Sequence, residues 1–278
     1  DIKDTQKLRE IIIQNKITSV IHFAALKSVS DSLIKPLEYY DVNVVGTLSL
    51  LSAMRSTGVK KFLFSSSASI YGEPKYCPID EKHLLNALNP YAQTKIIIEE
   101  ILKDLVKVET DWSVVCLRYF NPIGAHESGL IGELPIGEPN NIFPLLNLAG
   151  IGIKENFQIY GNDWPTKDGT CIRDYIHVMD IASGHICALK YLLENEAQVI
   201  CLNLGTGKGT TVLELVKTYQ KVNDVCFEIE FIDRRKGDAV EAVANNSLAK
   251  EKLNWQPKRS IQDMCRDGFK WQKNLYKI

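Results

Sequence analysis

Apolar positions in the first half of the chain follow two alternating periods. Over residues 5–15, TQKLREIIIQN, the apolar Leu8, Ile11 and Ile12 fall on one helical face, and ITSVIHFAA at 17–25 follows as an apolar run of strand length. The cycle repeats with a helical pattern over 39–57 that stops at Gly58, then KKFLFSSSAS at 60–69, which is β-rich and closes in a serine cluster. A third cycle takes a helix over 90–107, carrying Ile96, Ile97, Ile98, Ile101 and Leu102, into WSVVCLRYFN at 112–121. Helix alternating with short buried strand is the pattern of a parallel α/β sheet, because each parallel pair needs a crossover and the crossover helices cover the sheet's faces. After residue 122 the cycle breaks into GAHESGLIGELPIGEPNN, rich in glycine and proline, which predicts a loop-built lobe. VICLNLG at 199–205 reads as a returning strand. The expected fold class is α/β, a doubly wound parallel sheet over 1–122 with a returning segment near 170–205, followed by a second lobe over 123–278.

Ligands of such sheets gather at the carboxyl ends of the strands. Three polar or aromatic groups stand at those expected ends: Phe23-Ala24-Ala25, Ser65-Ser66-Ser67 and Phe120-Asn121-Pro122. NPYAQTK at 89–95 adds Tyr91 and Lys95, four residues apart and therefore on one face of a helix. An ammonium beside a phenol favours the phenolate, so Lys95 is expected to lower the pKa of Tyr91 toward working pH, and Ser67 can bind the same substrate hydroxyl. A redox cofactor for such a pair would ordinarily sit on a glycine-rich loop, yet no G-x-G-x-x-G occurs in the chain. The chain also opens on a helix where a sheet of this kind should open on a strand, and we read this as a missing beginning.

Composition narrows the partners. A formal net charge of −1 gives no basic excess for nucleic acid, and no apolar run reaches the roughly 18–20 residues of a membrane span. The seven cysteines are scattered without a C-x-x-C, and the histidines without a metal-ligand grouping, so the expectation is reduced thiols, a cytoplasmic protein and no metal. GTGKGTT at 205–211 fails the phosphate-loop pattern because Lys208 is followed by Gly209, and is read as a turn into a helix near Thr211.

Longer motifs carry a resemblance to a family. VIHFAALKSVSDSLIKPLEYYDVNVVGTLSLLSAMRSTGVKKFLFSSSASIYG, NPYAQTK, LRYFNPIGAH, PNNIFP and YGNDWPTKDGTCIRDYIHVMD resemble the UDP-galactose 4-epimerases, members of the extended short-chain dehydrogenase/reductases, over 1 to about 273. The resemblance implies a Rossmann-type NAD domain lacking its first strands and a smaller carboxy-terminal substrate lobe. It implies NAD as cofactor, UDP-galactose and UDP-glucose as substrates, and a homodimer. By motif, Tyr91 matches the acid/base, Lys95 the residue that orients the nicotinamide ribose, and Ser67 the C4-hydroxyl partner. Phe23, Ala24, Ala25, Lys27, Asn43, Ser65 and Phe120, with Asp1 and Ile2 on the adenine side, match cofactor-wall positions. Asn121, Asn141, Tyr160, Arg173, Arg235 and Asp238 match positions that hold UDP, and Lys27 also lies on the substrate side. The chemistry agrees, since guanidinium groups pair a diphosphate bidentately and an aromatic can face uracil.

Three departures stand out. Ala25 replaces a glycine common in the family, Ala92-Gln93-Thr94 replaces the usual residues between tyrosine and lysine, and Ala242 stands where the family sets pocket size beside the sugar 2-substituent, which predicts tolerance of N-acetylated UDP-sugars. The sequence keeps two other readings open: a UDP-sugar-binding remnant without chemistry, and a related decarboxylase or dehydratase. Absence of the glycine loop further predicts that the 278-residue chain alone binds NAD poorly and is inactive and poorly stable.

Overall fold

The computed structural model describes residues 1–235 and 237–277. In chain order its helices are α1 (Thr5–Gln14), α2 (Val29–Ile34), α3 (Pro36–Tyr39), α4 (Gly46–Thr57), α5 (Pro90–Val108), α6 (Ile142–Gly150), α7 (Val178–Glu194), α8 (Val212–Asn223), α9 (Ser247–Leu253) and α10 (Ile261–Tyr276). The strands are β1 (Val20–His22), β2 (Lys61–Ser67), β3 (Ser113–Tyr119), β4 (Asn121–Ile123), β5 (Asn156–Tyr160), β6 (Ile172–Arg173), β7 (Tyr175–His177), β8 (Val199–Leu204), β9 (Thr210–Thr211), β10 (Glu228–Ile232) and β11 (Glu241–Ala242). The chain forms two compact units. One takes Asp1–Gly72, Glu81–Tyr119 and His185–Asn203, and the other takes Glu73–Asp80, Phe120–Gly184 and the chain from Leu204.

The first unit is the expected α/β class. Its sheet has the order β1-β2-β3-β8, with β1, β2 and β3 parallel. Phe62, Phe64, Val114 and Cys116 on the strands pack with Leu50, Met54, Ile98 and Leu102 on the helices, closing one core. Gly58 ends α4 in the left-handed region at φ 75°, a conformation that glycine adopts without a Cβ clash. The helical pattern over 39–57 is not one continuous α-helix. Tyr40–Val45 forms a π-helical segment, and Asn43 within it accepts from the Leu26 N–H at 2.8 Å and donates to the Leu26 carbonyl at 3.0 Å and to Thr94 Oγ1 at 3.1 Å.

The expected strand over 17–25 narrows to Val20–His22, because the chain turns away at Phe23 and leaves its ring 59% exposed. His22 is buried beside the Phe62 and Phe64 rings and bonded to Thr47 Oγ1 at 2.9 Å. Burial first, then the charge of Lys95, bring its pKa down to about 4, so it is neutral at working pH.

The second unit is more regular than the glycine-rich sequence after residue 122 predicts. It holds the pairs β4-β7 and β5-β10 and the three-stranded order β11-β6-β9. Its core gathers Phe143, Leu146, Phe157, Ile159, Leu215, Tyr219 and Met264. Glu73–Asp80 joins this unit because Ile79 donates to the Val243 carbonyl and accepts from the Asn245 N–H, both at 2.7 Å. GTGKGTT is a turn into α8, whose N-cap Thr211 forms a capping box with Glu214. The amides of that turn do bind an anion, but it is the buried carboxylate of Asp174, which accepts from Thr206 N at 2.8 Å, Gly207 N at 2.9 Å and Ala244 N at 3.1 Å. This anchor fixes the backbone between Arg173 and Tyr175.

Candidate active site

In the first unit the sequence-predicted pair sits where β2 meets α5. Asn89 caps α5 by accepting from Ala92 N at 2.9 Å, and Pro90 occupies the first turn, where no N–H is needed. Tyr91 and Lys95 therefore stand one turn apart near the helix start. The Ser67 hydroxyl bonds the Tyr91 phenol, and Ser69 donates to Ser67 Oγ from its own hydroxyl at 2.9 Å. Lys95 is 3% exposed and its Nζ donates to the Ser65 carbonyl at 2.8 Å, 5.7 Å from the Tyr91 ring centroid and 4.9 Å from that of Phe64. That is its single hydrogen bond among the described residues, so a buried ammonium keeps donors for a ligand.

The expected lowering of the Tyr91 pKa by Lys95 is not what this geometry gives. Burial holds the phenol above its ordinary value, opposed by the Ser67 bond and reinforced by nearby Tyr39. Lys95 itself is brought down to about 8 by burial, with Glu99 opposing. The Lys95 ammonium stands over the Tyr91 ring and is bonded to a carbonyl rather than to the phenol oxygen, so its charge does little for the phenolate.

Around this centre, Phe23, Ala24 and Lys27 are exposed in the loop after β1, and Ala25 is half-buried there. Asn43 braces that loop: both of its amide hydrogens are engaged, one of them by Thr94, whose own hydroxyl donates to the Tyr91 carbonyl at 2.7 Å. The substituted residue Thr94 thus ties Tyr91 to the loop. Ser65 bonds the Tyr119 hydroxyl, which also meets His185 Nε2 at 2.6 Å. The His185 ring lies 4.7 Å from that of Phe23. Tyr119 and His185 were not foreseen, because nothing in their local pattern separates them from packing residues. Asp1 and Ile2 form the turn before α1, with Asp1 accepting from Lys3 N at 2.9 Å, and Ile2 packs so closely on Gly46 that a Cβ there would come within 2.4 Å of its side chain.

In the second unit, Asn121, Asn141, Tyr160, Arg173, Arg235 and Asp238 all line one cavity of about 260 Å³. Arg173 donates to the carbonyls of Ile172 at 2.9 Å and Ala239 at 2.8 Å and reaches Asp238 at 3.3 Å, which fixes its guanidinium at the wall. Arg235 stacks on Tyr160 with 4.1 Å to the ring centroid, covering one face of the aromatic. Asn141 stands at the N-cap of α6 without a side-chain capping bond, and Ile142 and Phe143 of the first turn line the cavity beside it. Phe120 is buried at the start of this unit, its N–H bonded to the Leu204 carbonyl at 3.0 Å. Ala242 is not in the cavity lining; it pairs with Arg173 in the β11–β6 register. A residue absent from the expected set is Tyr175, which lines the cavity and whose buried hydroxyl has no partner among the described residues. Its alternation with Arg173, two residues away on the same face, was the signal available in the sequence.

All seven cysteines are free of disulfides, and no helix among the described residues is long and apolar enough to cross a membrane. One potential three-ligand group, Glu99 with Cys116 and Cys201, converges in the first unit. Its carboxylate is already held by Arg118 and Ser66.

Comparison with known proteins finds similarity over nearly the whole chain. Residues 1–268 match the family described as GDP-mannose 4,6 dehydratase. The chain is 47% identical over 274 residues to the UDP-glucose 4-epimerase of Bacillus subtilis (strain 168), covering 99% of this chain and 80% of the relative. Among solved structures it resembles the UDP-glucose 4-epimerase of Stenotrophomonas maltophila with bound NAD and formylated UDP-arabinopyranose, at 43% identity and a TM-score of 0.98, over 100% of this chain and 82% of that one. It also resembles the Bifidobacterium longum enzyme in complex with NAD⁺ and UDP, at 42% identity and a TM-score of 0.93, over 99% and 82%. Similarity at this level, spanning both units, means that the chain belongs to the UDP-glucose 4-epimerase family.

Proposed function

We propose that this protein interconverts UDP-galactose and UDP-glucose, with NAD as its bound cofactor. The observation that carries the reading is the convergence of Ser67, Tyr91 and Lys95 at the end of β2, with a buried ammonium left partly unpaired. Bound NAD would supply the acceptor for the C4 hydrogen and return it to the opposite face of the sugar. Tyr91, whose phenolate form the cationic nicotinamide of bound NAD would favour, takes the C4 hydroxyl proton at its phenol oxygen and gives it back, and Ser67 holds that hydroxyl in line. Lys95 donates to the nicotinamide ribose, with Phe23, Ala24, Ala25, Lys27, Asn43, Ser65, Phe120, Asp1 and Ile2 as the cofactor wall.

The residues fit the nucleotide as well as the chemistry. Arg173 and Arg235 offer two cations to a diphosphate, Asp238 accepts from ribose hydroxyls, and Asn121, Asn141 and the free face of Tyr160 complete the UDP subsite. Tyr175 gives the same ligand a hydroxyl that has no protein partner among the described residues. A dehydratase reading is weaker because Ser67 is flanked by Ser66 and Ala68, with no acidic neighbour in sequence. The cytoplasm, and a homodimer using the exposed Leu37, Val45 and Leu48, belong to the same proposal. A monomer in sedimentation would remove the dimer.

The test is conversion of UDP-galactose to UDP-glucose by the full-length protein with NAD; binding of UDP-galactose without conversion would favour a non-catalytic binder. Ala242, outside the cavity lining but paired in register with its wall residue Arg173, extends the proposal to N-acetylated UDP-sugars. Ala242→Tyr is expected to reduce UDP-GlcNAc turnover at least tenfold while leaving UDP-glucose turnover within twofold, an order set by the ~1–3 kcal/mol of steric discrimination at such positions. Equal loss on both sugars would contradict a role in size selection.

A further inference from the structure

Tyr91 and Lys95 have a third member on their row of α5. Glu99 follows Lys95 at the same spacing, and it is 0% exposed. Each of these three residues engages one of three consecutive serines on β2. Tyr91 bonds the Ser67 hydroxyl, Lys95 bonds the Ser65 carbonyl, and Glu99 Oε1 accepts from Ser66 Oγ at 2.6 Å. The middle contact is the one backed by a fixed charge. Arg118, 2% exposed and paired with Ser66 in the β2–β3 register, donates from Nε to Glu99 Oε1 at 3.0 Å and from NH2 to Oε2 at 2.6 Å. Cys201 Sγ donates to Oε2 at 3.6 Å. Four donors thus surround one carboxylate, and a cation entering between Glu99, Cys116 and Cys201 would have to displace the guanidinium. Arg118 is itself braced by Tyr71 Oη at 2.9 Å and the Glu81 carbonyl at 3.3 Å, and Tyr71 donates to Asn203 at 2.7 Å.

A buried ion pair is weak evidence for stability, since apolar residues of similar volume often serve as well. Its placement directly beneath the acid/base pair suggests another use. We propose that Glu99, clamped by Arg118, is a positioning residue for the epimerisation: it fixes the serine segment 65–67 against α5 and keeps the Lys95 ammonium charged. This rests on the epimerase reading above. Burial opposes ionisation of Glu99, but the hydrogen bonds and charge of Arg118 and the Ser66 bond outweigh it and hold its pKa below the ordinary value. Its charge opposes the burial that draws Lys95 down to about 8. Among the described residues, the other ionisable groups around the pair are His22 from β1, Tyr39 from α3, Tyr71 after β2, Cys116, Arg118 and Tyr119 from β3 and Cys201 from β8, with Lys103 one turn beyond Glu99 on α5. His22 is neutral, and the three tyrosines titrate above their ordinary range, so Glu99 is the nearest anion acting on Lys95.

Glu99→Gln keeps the shape and an acceptor for Ser66 but removes the charge. We expect kcat to fall about tenfold or more with KM for UDP-galactose within twofold, and the alkaline limb of the kcat–pH profile to move about one unit toward acid, because losing a neighbouring anion lowers the pKa of Lys95. A uniform loss of kcat with an unmoved alkaline limb, or no change in kcat, would overturn the proposal. Should that variant not fold, Glu99→Leu with Arg118→Met removes both charges without leaving one unpaired. It is expected to fold and to lose kcat about tenfold at constant KM, and wild-type kcat in it would overturn the proposal equally. Measuring wild-type conversion alongside separates failure of this inference from failure of the epimerase reading, which would show as no conversion by the wild type.

Discussion

Tyr91→Phe is expected to lower kcat for UDP-galactose by about 10²–10⁴-fold while KM changes less than threefold. The ring, its packing and its 5.7 Å approach to the Lys95 ammonium survive the substitution, and only the phenol oxygen bonded to Ser67 is lost. Removing a positioned general acid/base commonly has an effect of this size. The nucleotide contacts proposed above lie in the cavity of the second unit and are untouched, so affinity should hold. Bound NAD should also remain, because Lys95 keeps its bond to Ser65 and its free donors. Steady-state kinetics with parallel NAD quantitation decides the matter. A kcat within tenfold of wild type would show that the phenol does not carry the proton.

Arg173→Ala should act through the other parameter. Its guanidinium is held by two carbonyls and by Asp238, so it would meet the diphosphate of the proposed substrate without first being ordered. Hydrogen bonds to charged groups contribute roughly 1.5–3 kcal/mol each, which corresponds to about 10–150-fold in affinity. The loss also leaves the Asp238 carboxylate at the cavity wall without its cation, where it would repel the phosphates. We therefore expect KM for UDP-galactose to rise about a hundredfold, with kcat changed less than tenfold. Lysine should not restore it, because a point charge cannot reproduce the planar fork of donors. An unchanged KM would take the diphosphate away from this wall.

Local periodicity made part of this legible. Tyr91 and Lys95 could be read because i and i+4 share a helix face whatever the surroundings, and Gly58 because a helix end in the left-handed region favours glycine. The π-helical turn around Asn43 was not legible, since it is tied to Leu26 and Thr94, far away in sequence. The same holds for Glu99: its spacing from Lys95 is visible, but a glutamate in a helix looks solvent-facing until Arg118 arrives from β3 and Ser66 from β2. The strand expected over 17–25 ends at His22 because Phe23-Ala24-Ala25 is apolar for a reason other than sheet burial. Where the glycine-rich sequence predicts a loop-built lobe, the second unit also holds short strands, because several of its glycines mark turns between them. The cavity residues came from the family resemblance; the sequence alone does not bring Asn121 to Asp238.

The most direct measurement of the central claim follows the hydrogen at C4. Full-length protein with NAD, given UDP-galactose deuterated at C4, is expected to yield UDP-glucose that retains the deuterium at C4, with none released to solvent, because the hydrogen leaves as hydride and returns to the same carbon while Tyr91 moves only the hydroxyl proton. Deuterium washing out into water during conversion, or UDP-galactose recovered unchanged, would contradict it.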